Sequence, residues 1–336
     1  MLKKQLSVFS FLLATVVATL LAGCDARSQT PVSQADTGPL LRRTDAQMSS
    51  APFLISYGDI RFTNPSETKA SNPKVRRWLA EKIAAEKPDA LLVSGDIPWH
   101  GGEKDDYAQF LTETAAWRAA NLFVSPALGN HEVNSRNVQQ CLENWWAAFP
   151  ALRGHRWYAV QLGSSLYVLN LDSNSDLRDG SAQRAWIDGQ LAHVPESVKF
   201  ILFNLHHPPA ADNQPDGDSD HNERPNELAL AAWLETAQPR SRAQFLVIAG
   251  HIHNYERFLR DGIPYIVSGG GGAEPRLIRR HEGDLYLNAP AVNYHYLRMT
   301  LHGDRLDAEM VRVADPDAAQ PAWEVRDRFT VGARRQ

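Results

Sequence analysis

The chain has 336 residues, enough for one large domain or two small ones, and 43% of them are hydrophobic, with nine tryptophans among them. Its formal charge is −4 with no long block of lysine and arginine, so it lacks the electrostatic footprint of a nucleic-acid binder and no nucleic acid is expected as a partner. With only Cys24 and Cys141 present, no disulfide framework is expected to support the fold.

Lys3 and Lys4 precede an apolar run over residues 6–21, matching the charged and hydrophobic regions of a secretory signal. The run falls short of the ~20 residues that a membrane-spanning helix prefers. It ends in Leu21-Ala22-Gly23-Cys24, which resembles the bacterial lipobox, where the cysteine is lipidated and becomes the mature N-terminus. Residues 1–23 are therefore expected to be a lipoprotein signal peptide, with Cys24 as the lipidation site and the membrane a partner through that lipid. Asp25 directly afterwards points to retention at the inner membrane, facing the periplasm of a bacterial cell envelope. Residues 24–50, rich in Ser, Thr, Gln, Pro and Asp, show no periodicity and read as a flexible tether. A single folded domain is expected over 51–336.

Within it, residues 53–57 form a short apolar strand that ends in Gly58-Asp59-Ile60-Arg61. Asn72-Pro73 opens a helix whose Val75, Leu79 and Ile83 repeat along one face until Pro88. Residues 90–94 are the next strand, terminating in Gly95-Asp96, and a helix over 105–120 follows. Residues 122–124 lead through Pro126 to Gly129-Asn130-His131-Glu132. Cys141 lies among Leu142, Trp145 and Trp146 and reads as a small buried hydrophobe. Residues 157–162 and 166–171 form a hairpin, and a helix covers 181–191. The strand over 200–205 ends in His206-His207-Pro208-Pro209, and a polar loop over 211–225 gives way to a helix over 227–236. The strand over 245–249 runs into Gly250-His251-Ile252-His253-Asn254-Tyr255-Glu256-Arg257. A strand over 263–268 precedes Gly269–Gly272, and the tail reads as a hairpin of 296–301 with 306–313. Strand–helix alternation with some hairpins gives an α/β class with mixed sheets.

Five strands thus end in Asp59, Asp96, Asn130, His206 and the His251/His253 pair. Asp and Asn routinely cap helices and turns. Five endings of carboxylate, amide or imidazole type ask for another explanation, because α/β sites assemble where the carboxyl ends of strands meet. Oxygen and nitrogen donors without thiolate suit Zn, Fe or Mn.

Together these motifs resemble the calcineurin-like metallophosphoesterase superfamily over residues 53–272, and Gly-Asn-His-Glu with Gly-His-Ile-His-Asn-Tyr-Glu-Arg is most similar to its purple acid phosphatase branch, without that branch's N-terminal β-domain. The resemblance implies a four-layer α/β/β/α sandwich of two mixed sheets around two divalent or trivalent metal ions, Fe, Mn or Zn. It assigns Asp59 and His253 to the first ion, Asp96 as the bridge, and Asn130, His206 and His251 to the second. His207 is the alternative to His206, or a group behind it. The implied reaction is hydrolysis of a phosphomonoester or phosphodiester through a metal-bound hydroxide, with His131 contacting phosphate and protonating the leaving oxygen. Glu132 either orients His131 or forms a surface salt bridge.

The sequence departs from the family pattern at two points. The first motif ordinarily reads Asp-x-His, or Asp-x-Gly in the purple branch, but here it is Asp59-Ile60-Arg61. Trp99 stands where the purple branch has a tyrosine ligand, so the first metal position lacks one protein ligand and no purple chromophore is expected. Arg61 has two readings, a clamp on the substrate phosphate or a structural salt bridge. His100 beside Trp99 reads as a loop histidine, and His295 as a strand residue. Asp216, Asp218, Asp220 and Glu227 have calcium-loop spacing, but His221 replaces the required glycine. The segment reads instead as an acidic loop over the cleft, with His221 and Asn222 placed to touch substrate. Gly269–Gly272 lacks the Gly-Lys-Ser/Thr of a phosphate loop and is expected to pack a turn against the metal site. The alternative to an esterase is a degenerate-site binding protein or an envelope scaffold without turnover.

Overall fold

The computed structural model describes residues 38–214, 221–287 and 294–334. The expected signal peptide, Cys24 and Asp25 lie outside the described residues, as do Asp216, Asp218 and Asp220. The first element corrects the expected tether. Leu40–Arg43 forms strand β1, paired in parallel with residues 159–162 at one edge of a sheet. Two leucines among polar residues give no periodicity, but an open sheet edge offers unpaired amides and carbonyls that a short segment can saturate.

β2 (Phe53–Tyr57) leads to helix α1 (Pro73–Glu86), which starts as the sequence predicts: Asn72 Oδ1 accepts from the amides of Lys74 and Val75, both at 3.2 Å. Lys87 ends it with φ at +52°, before Pro88. β3 (Ala90–Val93) is followed by two helices rather than one, α2 (Lys104–Glu113) and α3 (Ala115–Ala119). The break is at buried Thr114, whose hydroxyl donates back to the Phe110 carbonyl at 2.6 Å and competes with helix continuation. It turns Trp117 inward, where its Nε1 donates to the Ala80 carbonyl of α1 and its ring meets Tyr57.

β4 (Val124–Pro126), α4 (Val138–Ala148), the hairpin β5 (Tyr158–Leu162) and β6 (Leu166–Asn170), α5 (Ala182–His193) and β7 (Phe200–Asn204) follow. Then come α6 (Pro225–Ala237), β8 (Gln244–Ala249), β9 (Tyr255–Arg260), β10 (Ile263–Ser268), and the tail strands β11 (His295–His302), β12 (Arg305–Val313) and β13 (Trp323–Gly332). The expected hairpins are present; β9 and β13 are additions.

The strands form two mixed sheets, ordered β1-β5-β6-β7-β8-β10-β9 and β13-β12-β11-β2-β3-β4. Leu166 and Val168, Phe200 and Leu202, and Leu246 and Ile248 alternate onto one face of the first sheet and share a core with Leu54, Leu92 and Met299 of the second. Each such buried side chain contributes ~1.5–3 kcal/mol of transfer free energy. On the outer face of the first sheet, the Tyr167 hydroxyl donates to Gln190 of α5 at 2.7 Å. α6 lies beside α5, with the Arg184 guanidinium 4.3 Å from the Trp233 ring. The helices α1 and α3 cover the second sheet, completing the four-layer α/β/β/α sandwich. Because β2, β3 and β4 run parallel to one another, as do β7 and β8, the residues beyond their carboxyl ends can meet.

Candidate metal centre

Those residues meet through a backbone that L-amino acids ordinarily avoid. φ is +60° at Asp59, +57° at Arg61, +57° at Asp96 and +71° at His251. The loops also press together closely. A Cβ at Gly129 would stand 2.3 Å from Asp96 Oδ1, and one at Gly250 would stand 2.6 Å from Asp59 Oδ2, so both positions exclude a side chain.

Asp96 is the fully buried hinge of the cluster. Its Oδ1 accepts from the His131 amide at 3.0 Å and lies 3.3 Å from His206 Nε2. His206 Nδ1 lies 2.8 Å from the Ser94 carbonyl, which only accepts, so the proton resides on Nδ1 and Nε2 presents a lone pair. That lone pair faces Asn130 Oδ1 at 2.8 Å as well as Asp96, and His251 Nδ1 lies 3.2 Å away. Electron-rich atoms this close in a buried place could ligate a metal ion together.

A second set lies on the Asp59 side. Asp59 Oδ2 accepts from the His251 amide at 2.8 Å, whereas Asp59 Oδ1 and His253 Nε2 stand 3.7 Å apart, buried and with no hydrogen-bond partner. His253 Nδ1 is 3.0 Å from the Glu274 carbonyl, which again leaves Nε2 as the acceptor. An unpartnered carboxylate oxygen facing an unpartnered imidazole nitrogen also fits a metal ion. Potential ligand atoms of Asp59, Asp96 and His206 lie within 4.8 Å of one another, as do those of His206, His207 and His251.

His207 therefore joins the cluster beside His206; its Nδ1 pairs with the Ser173 hydroxyl at 2.8 Å and its ring is 4.3 Å from that of His251. His221 stacks on His251 at 4.8 Å with rings nearly parallel. Asn222 Oδ1 accepts from the Gln214 amide at 2.7 Å.

His131 is held from two directions. Its Nδ1 is 2.6 Å from the Trp99 carbonyl, and its ring stacks on the Trp99 indole at 4.7 Å. Its Nε2 points toward Asp96 Oδ2 at 3.8 Å. Arg61 occupies the other side of that oxygen, with Nη2 at 3.3 Å and its guanidinium 5.0 Å from the Trp99 ring.

Glu132 requires a correction, because neither reading of it holds. Its carboxylate is fully buried and accepts three amides, those of Asp96 at 3.0 Å, Ile97 at 2.7 Å and Gly129 at 2.7 Å. It ties the loop after β3 to the loop after β4 and leaves the orientation of His131 to Trp99. The Trp99 shelf and the Glu132 knot are what the sequence reading missed; adjacency to His131 flagged Glu132 but says nothing of three amide donors.

The remaining expectations can be placed. His100 is exposed beside Asp106, and buried His295 in β11 pairs with Ser268. Gly269 packs against the site, where a Cβ would stand 2.6 Å from Asp59 Oδ2.

The charge balance follows from burial. Burial and the neighbouring Asp96 carboxylate push the Asp59 pKa well above the usual carboxylate range. Burial acts on Asp96 in the same sense, but its surroundings, with the Arg61 guanidinium and the His131 amide among them, outweigh it and hold the Asp96 pKa well below the usual carboxylate range. Burial and Asp96 push Glu132 up to about 8 against its three amide donors. Burial lowers His206 to about 4 and His207 and His253 well below the ordinary imidazole value, so all three are neutral and ready to ligate. The cluster opens onto a cleft of about 540 Å³ lined by Arg61, Lys69, His221, His253 and Arg276 among others.

The sequence of residues 56–269 matches the family model of the calcineurin-like phosphoesterases, well over half of the chain. Among solved structures, a purple acid phosphatase from yellow lupin seeds superposes with a TM-score of 0.67 at 18% identity, covering 85% of this chain. The chain spans only about half, 54%, of that phosphatase's length. A dimetal phosphatase from Danio rerio superposes with a TM-score of 0.55 at 14% identity, over 84% of this chain and 99% of that one. The protein GAP50 of Plasmodium, described as the anchor in the inner membrane complex, gives 0.55 at 14% identity over 86% and 90%. At these identities the likeness is one of fold.

Proposed function

Since the chain belongs to the calcineurin-like phosphoesterase family, we propose that it is a metal-dependent hydrolase of a phosphomonoester or phosphodiester, working at a two-ion centre. The observation that carries this reading is the His206 lone pair facing Asn130 Oδ1 and Asp96 Oδ1, beside the unpartnered Asp59 and His253 atoms. Asn130, His206 and His251 would hold one ion, Asp59 and His253 the other, with Asp96 between them. When bound, such ions supply positive charge to phosphoryl oxygens and acidify water. The donor set accommodates Fe, Mn or Zn alike.

The chain's own residues do the rest. His131, kept in one tautomer and one plane by Trp99, directs Nε2 toward Asp96 Oδ2 and, when protonated, gives its proton to the leaving oxygen. Arg61 and Lys69 bring cationic charge to the cleft wall, and the Arg61 fork suits phosphoryl oxygens. His207 and His221 extend the imidazole wall on the far side. The lipobox-like Leu21-Ala22-Gly23-Cys24 supports a lipid anchor at Cys24 and a periplasm-facing site of action, which metabolic labelling with a palmitate analogue in wild type and Cys24→Ala would test.

A second reading, a phosphate-ester binder without turnover, draws support from the Arg61–Asp96 ion pair in the centre. One experiment separates the two. Metal per chain is counted by elemental analysis on the full-length protein purified without chelators, and the same sample is assayed on aryl phosphate mono- and diesters. Bound metal with turnover that a chelator abolishes supports the hydrolase. Absence of metal and turnover after Mn, Fe or Zn is added refutes it.

A further inference from the structure

The two sides of Asp96 are approached by opposite kinds of group. On the Oδ1 side stand Asn130, His206 and His251, donors without a cation among them. On the Oδ2 side stand the Arg61 guanidinium, with Nε at 3.4 Å and Nη2 at 3.3 Å, and more distantly His131 Nε2 at 3.8 Å. Arg61 and His253 line the same cleft, and His253 Nε2 faces Asp59 Oδ1 there with no hydrogen-bond partner on either atom.

The guanidinium is held in place. Its side chain is 13% exposed and rests on the Trp99 ring. The Arg61 carbonyl accepts from Arg76 Nη1 at 2.9 Å and from the Ser71 hydroxyl at 3.1 Å, and its amide donates to the Asp96 carbonyl at 2.9 Å. Arginine keeps its proton at any working pH, so the charge is permanent. A like charge so near an ion in a buried site opposes it strongly.

The geometry points to Arg61 as a competitor built into the centre: it holds the Asp96 oxygen that an ion between Asp59 and His253 would share, so the chain takes one divalent ion tightly at Asn130, His206 and His251 and a second weakly. This rests on the metal-dependent reading above and adds that one guanidinium, rather than the ligand set alone, makes the positions unequal.

The test is a metal titration. The full-length chain is stripped with a chelator, dialysed and titrated with Mn²⁺ by calorimetry, with bound Mn counted by elemental analysis. Two binding events separated by roughly tenfold or more in Kd are expected for the wild type. Arg61→Ala should tighten the weak event by about the same factor and leave the tight one unchanged. Arg61→Gln removes the charge while retaining a polar side chain, and it serves if the alanine variant fails to fold by near-ultraviolet circular dichroism. Arg61→Lys, which keeps the charge, should preserve the gap. Two equal events in the wild type, or a weak or missing second event that neither neutral variant strengthens, overturns the inference. Equal events with turnover leave the hydrolase reading standing, whereas no binding of Mn²⁺, Zn²⁺ or Fe²⁺ by any variant overturns both.

Discussion

Removing the Glu132 carboxylate should loosen the centre without touching a potential ligand. In Glu132→Ala the amides of Asp96, Ile97 and Gly129 lose acceptors at 3.0, 2.7 and 2.7 Å. A buried donor left unsatisfied costs ~1–3 kcal/mol, so three would cost about 3–9 kcal/mol if nothing replaced the acceptor. Water entering the vacated volume recovers part of that. Removing a group that burial, and then Asp96, push up to about 8 recovers more, at ~1.4 kcal/mol per pKa unit. The expected net loss is about 2–4 kcal/mol. Urea unfolding of chelator-stripped protein, followed by tryptophan fluorescence, reads it as a lower midpoint, and elemental analysis of unstripped protein reads the accompanying loss of metal. Above pH ~8, where Glu132 is ionised, Glu132→Gln keeps the shape but turns one oxygen into a donor facing amide donors, so both variants are measured there and it should also destabilise. A midpoint shift worth less than about 0.5 kcal/mol in both variants, with metal content unchanged, would refute the role of Glu132 as the knot between the two loops.

Three further outcomes are expected. His131→Ala should slow hydrolysis of alkyl phosphates by about 10²–10³-fold and of nitrophenyl phosphates much less, because only a poor leaving group needs the proton; equal losses on both would count against an acid role. Glu113→Ala should destabilise by about 3–5 kcal/mol in thermal or urea unfolding, since it strands the buried Arg76 guanidinium, which also donates to the Arg61 carbonyl at 2.9 Å and the Thr63 carbonyl at 3.2 Å. Glu256 is raised to about 8 by burial, so the folded state holds a proton that the unfolded chain loses near 4.5. Its stabilising share is complete below pH ~4.5 and lost as pH rises through ~8; Glu256→Gln should match wild type near pH 5 and exceed it by about 1–4 kcal/mol at pH 8, and parallel pH profiles would falsify the assignment.

The strands that deliver the cluster were legible because both their faces are buried and their sequences are nearly continuous apolar runs. The polar residue after each run then stands out. The missing elements lack that signal. β13 alternates Glu324, Arg326 and Arg328 where a buried strand would place apolar residues, and it is held to β12 by pairs such as Glu324 with Arg312 and Arg328 with Glu309. β9 is hidden inside the Tyr255-Glu256-Arg257 end of a motif whose chemistry draws attention first. β1 is an edge strand identified by its backbone pairing, a property no side chain records. Arg61 is the same kind of case at the site: the sequence announces a cation where a ligand belongs, but the Asp96 oxygen it holds depends on two loops 35 residues apart.

Those loops also explain how the strained backbone persists. Positive φ at Asp59, Arg61, Asp96 and His251 costs ~1–2 kcal/mol each, a large sum against a total stability of roughly 5–15 kcal/mol. The offset comes from hydrogen bonds between the loops themselves. The Asp59 amide donates to Gly95, those of Ile60 and Arg61 to the Asp96 carbonyl, and that of Phe62 to Ile97, over distances of 2.7 to 3.1 Å. The His251 and His131 amides add bonds to Asp59 Oδ2 and Asp96 Oδ1. At ~0.5–1.5 kcal/mol net each, these bonds are of the same size as the backbone strain. The backbone course that brings Asp59, Asp96, Asn130, His206 and His251 together is therefore held by the loops' own hydrogen bonds. It also follows why glycine precedes Asn130 and His251: a Cβ at Gly129 or Gly250 would displace a carboxylate oxygen of Asp96 or Asp59, so the two motifs need the glycine as much as the donor behind it.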